Sequence, residues 1–294
     1  MDFSYICWYV FMQVEIRLTT LNDHPLEYSY NHALGSALVR ALSSVNPVLG
    51  HDLHDGAHKN RLKLFAFSTL NSQPHPEQIT MPSGEKRLKF GKRLWLRFAS
   101  VWPEVTFSLG EALINQKELD IAGLRLRVDD IIMAPTPAFK ETMTYRCFGQ
   151  SGMIVARYQQ DGPDRFQFPD NPEKNIPSCE ALIAANLRHK ILRLGEIRKD
   201  IQANYLTLSR LEEANIRELP IKVEFLPLTE TRAYRTGLYR IKNMNVRAFR
   251  CPVRITAPEI VHQIVWNCGL GGQNTQGFGL VTLGEKNDVS QTNR

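Results

Sequence analysis

The chain has 294 residues, of which 43% are hydrophobic, so it holds enough apolar material for one large domain or two ordinary ones. Its 36 Lys and Arg residues outnumber its 30 Asp and Glu residues, and the net charge of +6 favours a polyanionic partner. Five scattered cysteines without C-x-x-C spacing exclude a disulfide framework and a zinc site, and predict reduced thiols in the cytoplasm.

The first eleven residues are apolar and aromatic, but this segment is too short to span a bilayer. It also lacks the basic start and the small-residue cleavage site of a secretory signal, so no membrane association is predicted. Met12 directly precedes a clean strand pattern. We hypothesise that Met12 is the natural start, which N-terminal mass spectrometry of the protein from its own host would test.

The sequence pattern of the first half of the chain predicts two helices and four strands. Val14, Ile16 and Leu18 alternate with charged residues, which is the period of a half-buried strand. Helical spacing with Asn31 as the cap predicts a helix at 31–45, which Asn46-Pro47 ends. The remaining elements are a polar connection at 49–61, a strand at 62–68, a basic arm and strand at 84–98, a helix at 103–116 and a strand at 119–133.

After a proline-containing linker at 135–137 the same order of elements repeats. The predicted elements are strand material at 142–157, a helix at 178–198 extended by 205–215, strands at 221–226 and 237–255, a helix at 258–268 and a strand at 280–283. Each half therefore has the order βαββαβ. We predict an α+β fold of two tandem ferredoxin-like (RRM-like) domains, at residues 12–134 and 139–285, although no residue-level repeat relates them.

The glycine loop, residues 269–279, has five glycines in eleven residues and leads from the last helix to the last strand. Glycine suits positions that need positive φ or close approach of a ligand, and freed amides in such a loop form a nest for anions. The sequence therefore predicts a phosphate site, although a simple turn also fits the pattern. The predicted contacts are Gly269, Gly271, Gly272, Gln273, Asn274, Gly277 and Gly279.

The polar connection carries the densest cluster of titratable groups in the chain, with His51, His54 and His58 among two aspartates. Because the pKa of histidine is near 6.5, such groups exchange protons around neutrality. Two chemistries fit: metal-activated water, and general acid–base catalysis on RNA by one histidine. A third interpretation is that these histidines only cap and solvate a loop.

Four features together resemble a known family. They are Tyr30-Asn31-His32, the run 53–56 (Leu-His-Asp-Gly), the strand 62–68 (Leu-Lys-Leu-Phe-Ala-Phe-Ser) and the glycine loop with its Gly277-Phe278-Gly279 end. The family is the CRISPR-associated endoribonucleases that cut repeat RNA, number six in the Cas nomenclature and part of the RAMP superfamily. The resemblance runs from residue 12 to 283 and implies two ferredoxin-like domains and cleavage of precursor CRISPR RNA without a metal or other cofactor.

By position, the resemblance implies that His54 is the catalytic histidine and Lys63 the lysine that follows it. Some relatives have a third member, a tyrosine in the first helix, where this chain has Val39. The neighbouring candidates to replace that tyrosine are Tyr30, Arg40, His51 and His58.

The expected reaction is attack by a ribose 2′-OH on its own 3′ phosphate, which leaves a 2′,3′-cyclic phosphate and a 5′-OH. The partner is then CRISPR repeat RNA or precursor CRISPR RNA, with other CRISPR-associated proteins or a second copy of the chain as further candidates. Cations of the second domain are expected to bind the RNA backbone. They are Arg232, Arg235, Arg240, Lys242, Arg247 and Arg250.

Two other functions remain open. Residues 276–283 resemble the first signature of an RNA-recognition motif, but here that signature lies on the last strand rather than on an inner one. The stronger alternative is a relative that binds repeat RNA inside a larger interference complex and does not cleave it. The histidine at position 54 favours cleavage.

Overall fold

The computed structural model describes residues 12–54, 64–149, 152–158, 165–170, 176–201, 213–241 and 244–284. The predicted connection beyond residue 54 and the helical extension at 205–212 lie outside this description. Within the described ranges no helix combines the length and the apolar character needed to cross a membrane.

The first half of the chain forms one main sheet with two helices packed beside it. Its elements are β1 (Met12–Thr20), β2 (Leu26–Glu27), α1 (Asn31–Val45), α2 (Pro47–His54), β3 (Phe65–Phe67), β4 (Asn71–Ser72), β5 (Glu77–Thr80), β6 (Lys86–Lys89), β7 (Arg93–Ser100), α3 (Pro103–Gln116), β8 (Glu118–Ile121) and β9 (Leu124–Ala134). The strand order β3-β7-β1-β9-β8, with β4 also paired to β7, contains the antiparallel order of a ferredoxin-like sheet. The ferredoxin-like prediction is confirmed here.

Helices α1 and α3 have the predicted bounds, because their apolar residues fall on one face. In α1 the buried face includes Leu34, Leu38 and Leu42. The predicted cap is wrong: Asn31 is the first helical residue, and its Nδ2 donates to the Gln276 carbonyl, 3.1 Å away in the glycine loop.

The prediction that 49–61 is a loop is wrong for its first part, because residues 47–54 form helix α2. Asn46 starts this helix as well as ending α1, since its Oδ1 accepts from the Leu49 amide at 3.1 Å. Pro47 is the first residue of α2, a position where its missing N–H costs nothing.

The predicted strand at 119–133 is a hairpin, β8 and β9, rather than one strand. Ala122 and Gly123 form its two-residue turn with φ values of 49° and 92°. This is the backbone of a tight hairpin turn, for which Asn-Gly is the usual sequence signal. The chain has Ala-Gly here, so the usual signal was absent. Strands β2, β6 and β5 form a separate three-stranded sheet that includes the predicted basic arm.

The second half repeats the order with insertions. Its elements are β10 (Thr142–Cys147), β11 (Ala156–Tyr158), β12 (Arg165–Gln167), α4 (Cys179–Ile201), α5 (Glu213–Arg217), β13 (Lys222–Phe225), β14 (Arg235–Ile241), β15 (Met244–Arg250), β16 (Val253–Thr256), α6 (Glu259–Cys268), a 3₁₀ turn (Asn274–Gln276) and β17 (Val281–Leu283). The strand order β13-β16-β10-β17 is again the ferredoxin-like one, and all pairs are antiparallel.

Two predicted strands of the second half are divided. The material at 142–157 is β10 followed by the start of a small hairpin, β11 with β12. The predicted strand at 237–255 is the hairpin β14–β15 followed by β16. An insertion that pairs with itself leaves the hydrophobic alternation of both strands unchanged, so period alone does not reveal the turn.

Helix α6 joins the two domains. It contacts β17 of its own sheet and also β1, β3 and β7 of the first sheet. Gln13 on β1 is fully buried, and its Nε2 donates to the Trp266 carbonyl at 2.8 Å and to the Val281 carbonyl at 3.0 Å. One hydrophobic core therefore runs through both sheets. The described cysteines lie in it as buried free thiols.

Candidate functional site

The glycine loop leaves α6 at Gly269, whose φ of 71° lies in the left-handed region. Its backbone is folded onto the rest of the second domain. The amides of Gly269 and Leu270 donate to the Val265 and Gly279 carbonyls at 3.0 and 2.8 Å. The Gly272 and Gly279 amides donate to Val155 and Met153 at 2.9 and 2.7 Å, and the Gly277 amide donates to Asn274 at 3.1 Å.

Four of the predicted contacts therefore cannot offer their amides to a phosphate. The predicted anion nest is wrong for these four glycines. The N–H groups of Gly269, Gly272, Gly277 and Gly279 already have carbonyl acceptors. Close backbone packing explains most of these glycines. A Cβ on Gly279 would collide with the Leu270 carbonyl oxygen, and one on Gly271 would collide with that of Val155.

The other amides of the loop differ. Within the described part of the chain, the N–H groups of Gly271, Gln273, Asn274 and Thr275 have no backbone acceptor. Gln273 has a left-handed φ of 58° and directly precedes the 3₁₀ turn. The unbonded amides of residues 273–275 therefore lie next to one another at the start of this turn. Consecutive unbonded amides of this kind attract anions. The loop thus keeps a row of unbonded main-chain amides, which includes Thr275 and which the glycine positions did not identify.

The side chain of Asn274 holds the loop together from inside. It is 7% exposed, and its Nδ2 donates to the Leu270 carbonyl at 3.1 Å and the Phe278 carbonyl at 3.0 Å. These bonds link the two ends of the loop. Both hydrogens of its side-chain amide are therefore engaged, so the predicted contact of Asn274 with RNA would have to use its backbone amide.

Residues 271–275 of the loop, which include these unbonded amides, line a groove of about 620 Å³ together with helix α4. The α4 side of this groove carries Asn186, His189, Lys190 and Arg193, and Arg157 of β11 also lines it. These residues were not among those predicted from the sequence. Their spacing of three and four residues along one helix face was the available signal.

Lys190 is the most enclosed of these groove residues. It is 7% exposed, and its Nζ donates to the carbonyls of Cys268, Gly269 and Gly271 at 3.3, 2.8 and 3.0 Å. Burial lowers the pKa of Lys190 to about 8, because desolvation disfavours the charged form. The lysine remains mostly protonated at pH 7.

Of the two predicted catalytic residues, the structure describes only the backbone of one. His54 is the last residue of α2, but its side chain lies outside the description, and so does the whole of Lys63. Leu64, the next residue, lines the groove beside the glycine loop. Its carbonyl accepts from the Val101 amide at 3.2 Å and from Cys268 Sγ at 3.6 Å. Leu64 is therefore the described residue that brings the start of β3 to the groove.

The candidates for the missing tyrosine are not equivalent. Tyr30 is 6% exposed, its Oη accepts from the Leu70 amide at 2.9 Å, and burial raises its pKa. Arg40 donates to the Asp120 carbonyl at 3.4 Å, on the sheet edge opposite β3. His51 is exposed on α2, and His58 lies outside the description. The structure thus assigns Tyr30 and Arg40 to packing and edge contacts rather than to the groove.

The predicted cations of the β14–β15 hairpin do not share one face. Arg240 and Arg247 lie on the outer face with the 68% exposed Leu238. Arg235 and Arg250 are opposite each other in the strand register and lie on the other face. Arg250 Nη1 donates to the Gly149 carbonyl at 2.6 Å. Arg232 is exposed in the turn before β14, and Lys242 lies outside the description. The outer face, with Arg240 and Arg247, is the exposed basic surface of this hairpin.

The described residues contain no group of three or more His, Cys, Asp or Glu side chains that could hold a metal ion. The part of the histidine-rich segment beyond residue 54 lies outside those residues.

Comparison with known families assigns both halves of the chain. Residues 25–132 match the family described as CRISPR-associated protein Cas6, N-terminal, and residues 134–283 match CRISPR associated protein Cas6, C-terminal. The chain belongs to the Cas6 family. The resemblance inferred from the histidine segment and the glycine loop is thereby confirmed. No curated protein sequence matches the chain significantly.

Solved structures share the Cas6 fold of this chain at low sequence identity. A Cas6-related protein from Pyrococcus furiosus matches with a TM-score of 0.68 and 19% identity, over 94% of this chain and 99% of that one. A RAMP protein binding different RNA substrates matches at 0.66 and 18%, over 93% and 100%. A Cas6 product complex matches at 0.57 and 17%, over 92% and 98%.

Proposed function

We propose that this Cas6 protein is a metal-independent endoribonuclease that binds CRISPR repeat RNA and cuts precursor CRISPR RNA. The observation that carries the proposal is the groove, which is lined by residues 273–275, with their unbonded amides, and by the basic side of α4. Such a surface fits a phosphodiester backbone. Family membership over both domains supports repeat RNA as the ligand. The RNA substrates and the product named for two similar structures support it further.

In the proposed reaction the 2′-OH of one ribose attacks the adjacent phosphorus and gives its proton to a base. The new P–O2′ bond forms as the P–O5′ bond breaks, and the leaving O5′ takes a proton from an acid. The products carry a 2′,3′-cyclic phosphate and a 5′-OH. His54 would act as the base or the acid, and Lys63 would stabilise the extra negative charge on the phosphorus oxygens. The loop amides would hold the RNA backbone in the geometry that in-line attack requires.

Cleavage of a repeat RNA with EDTA present tests the proposal. We expect wild-type protein to cut at one position, and His54→Ala to cut about 10²- to 10⁴-fold more slowly while binding with similar affinity. Imidazole proton transfer accelerates the reaction without holding the RNA, so rate and affinity should separate. A product resistant to phosphatase until acid opens the cyclic phosphate would identify the attacking group.

An RNA with a 2′-deoxy nucleotide at the cut site is the matched control. It should bind normally and remain intact, because the nucleophile is absent. Cleavage of this RNA, or loss of cleavage in EDTA, would reject the proposed chemistry. Tight binding with no cleavage by the wild-type protein would instead assign the chain to the alternative, a repeat-RNA-binding subunit of an interference complex.

A further inference from the structure

Lys190 is a buried cation whose hydrogen bonds all go to the start of the glycine loop. Its three N–H donors match three carbonyls, those of Cys268, Gly269 and Gly271. Among the described residues no carboxylate lies within ion-pair distance of it. The lysine therefore connects helix α4 to the loop through main-chain oxygens alone.

Its position at the end of α6 has an electrostatic reason. Cys268 is the last residue of that helix and Gly269 is its C-cap, so their carbonyls lie at the negative end of the helix dipole. The last carbonyls of a helix have no partner within it, and a cation there is stabilising. Lys190 supplies both the charge and the donors from a buried position.

These bonds also fix the orientation of two peptide planes. In a trans peptide the N–H points away from the preceding C=O. With the Gly269 and Gly271 carbonyls turned toward Lys190, the next amides, of Leu270 and Gly272, point the other way. They donate to Gly279 and Val155 at 2.8 and 2.9 Å. The row of unbonded amides begins directly after the second of these planes.

The same lysine belongs to the helix that forms the opposite side of the groove. Asn186, His189 and Arg193 lie four residues before it, one before it and three after it on α4. We propose that Lys190 is a positioning residue that holds the glycine loop at a fixed distance from α4, so that RNA backbone bridges the loop amides and the basic helix face. This role rests on the RNA-binding function proposed above.

Lys190→Met tests this role, with Arg188→Met as the matched control. Arg188 is on the same helix and also donates to a carbonyl, that of Leu219, at 2.8 and 3.1 Å. Both changes remove one cation that binds a main-chain oxygen, but only the first touches the loop. Hydrogen exchange and repeat-RNA affinity are measured on both variants at a temperature where each is folded.

In Lys190→Met we expect the Leu270 and Gly272 amides to exchange at least about tenfold faster, and the dissociation constant for repeat RNA to rise at least about tenfold. Arg188→Met should change neither quantity, although both variants lose stability. Equal exchange and equal affinity in the two variants would overturn the proposal, because Lys190 would then contribute only to general stability.

Hydrogen exchange separates this proposal from the proposed function. If wild-type protein binds no repeat RNA, the function fails, while faster exchange of the loop amides in Lys190→Met still supports the lysine as the holder of the loop. If Lys190→Met does not fold, the Lys190→Gln variant is used in its place, because the glutamine side chain keeps two hydrogen-bond donors. Loop exchange as slow as in Arg188→Met would then reject the proposal.

Discussion

The glycine loop and the β14–β15 hairpin belong to the same domain, and the sequence predicted RNA contacts in both, but they are built in opposite ways. The loop is buried and bonded to its surroundings through its own main chain. The hairpin pairs mainly with itself and exposes Arg240 and Arg247 on its outer face. Residue type suggested the same role for two regions whose polar groups are used differently.

This difference leads us to expect two kinds of RNA contact. Main-chain amides held by a rigid loop bind phosphate at a fixed position and lose little entropy when they do so. Arginines on a hairpin surface bind through flexible side chains, and counterions compete with them. We therefore expect the loop to determine where the RNA lies, and the hairpin to determine how strongly affinity depends on salt.

The largest effect is expected from Gly271→Ala. Gly271 has φ of 67°, and an added Cβ would collide with the Val155 carbonyl oxygen, so the loop has to move. We expect a loss of about 2–4 kcal/mol in the free energy of unfolding, measured in denaturant, together with weaker RNA binding.

Gly272→Ala is the adjacent control for this change. Its Cβ would lie 3.8 Å from the Val155 oxygen, which is ordinary contact. Its unfolding free energy should stay within about 0.5 kcal/mol of wild type. If the two alanine variants were equally stable, the loop would not be held by close packing and its contrast with the hairpin would disappear.

Much of the fold was predictable because local and tertiary preferences agree. Helices α1 and α3 have the predicted bounds, since their apolar stripes, Pro103 and the Asn46-Pro47 stop all point to the same limits. The hairpins were missed at short turns, as at Ala122 and Gly123, where the alternation only changes phase, from Leu119 and Ile121 to Leu124 and Leu126. Helix α2 was missed because a segment rich in histidine and aspartate suggested a loop.

The site was less predictable, because hydrogen-bond partners depend on tertiary structure. The glycines marked the correct loop, but four of their amides bind carbonyls from other parts of the fold or of the loop itself. Lys190 was overlooked, since nothing local distinguishes a lysine that reaches a distant helix end from a solvated one. The roles of His54 and Lys63 came from family resemblance alone and stay predictions.

A smaller effect is expected at the hairpin, from Arg247→Gln. Arg247 is exposed beside Leu238 on the outer face, so its loss should leave stability unchanged. Each lost phosphate contact lowers the slope of log affinity against log salt by about 0.7 for single-stranded RNA. We expect a shift of this size, with an affinity loss of a few-fold at low salt, from a titration at several salt concentrations.

Arg235→Gln on the opposite face of the same hairpin is the control. It should shift the salt slope less than Arg247→Gln does. A larger shift from Arg235 would mean that RNA follows the inner face, and the assignment of the outer face as the binding surface would be wrong.

The smallest effect concerns His262 of α6, the helix that leads into the loop. It is fully buried, and its Nε2 lies 3.0 Å from the Glu141 carbonyl, to which it must donate. Its Nδ1 then accepts from Tyr145 Oη at 2.9 Å. Burial lowers the pKa of His262, against weaker opposing effects that include Glu259 on the same helix. The folded protein therefore prefers the neutral ring.

Because the pKa is lower in the folded than in the unfolded state, the unfolded chain binds more protons below about pH 6.5, and stability falls as pH decreases through that range. We expect His262→Gln to be less stable than wild type at pH 7, and the difference in unfolding free energy to narrow by about 1 kcal/mol or less by pH 5. After correction for the intrinsic exchange rate at each pH, opening at the Leu270 amide should increase with acid before opening of the β14–β15 pairs, since α6 holds the loop and not the hairpin. A difference in unfolding free energy that stays constant from pH 7 to 5 would show that His262 has the same pKa in the folded and unfolded states. Acid would then not weaken the loop more than the hairpin.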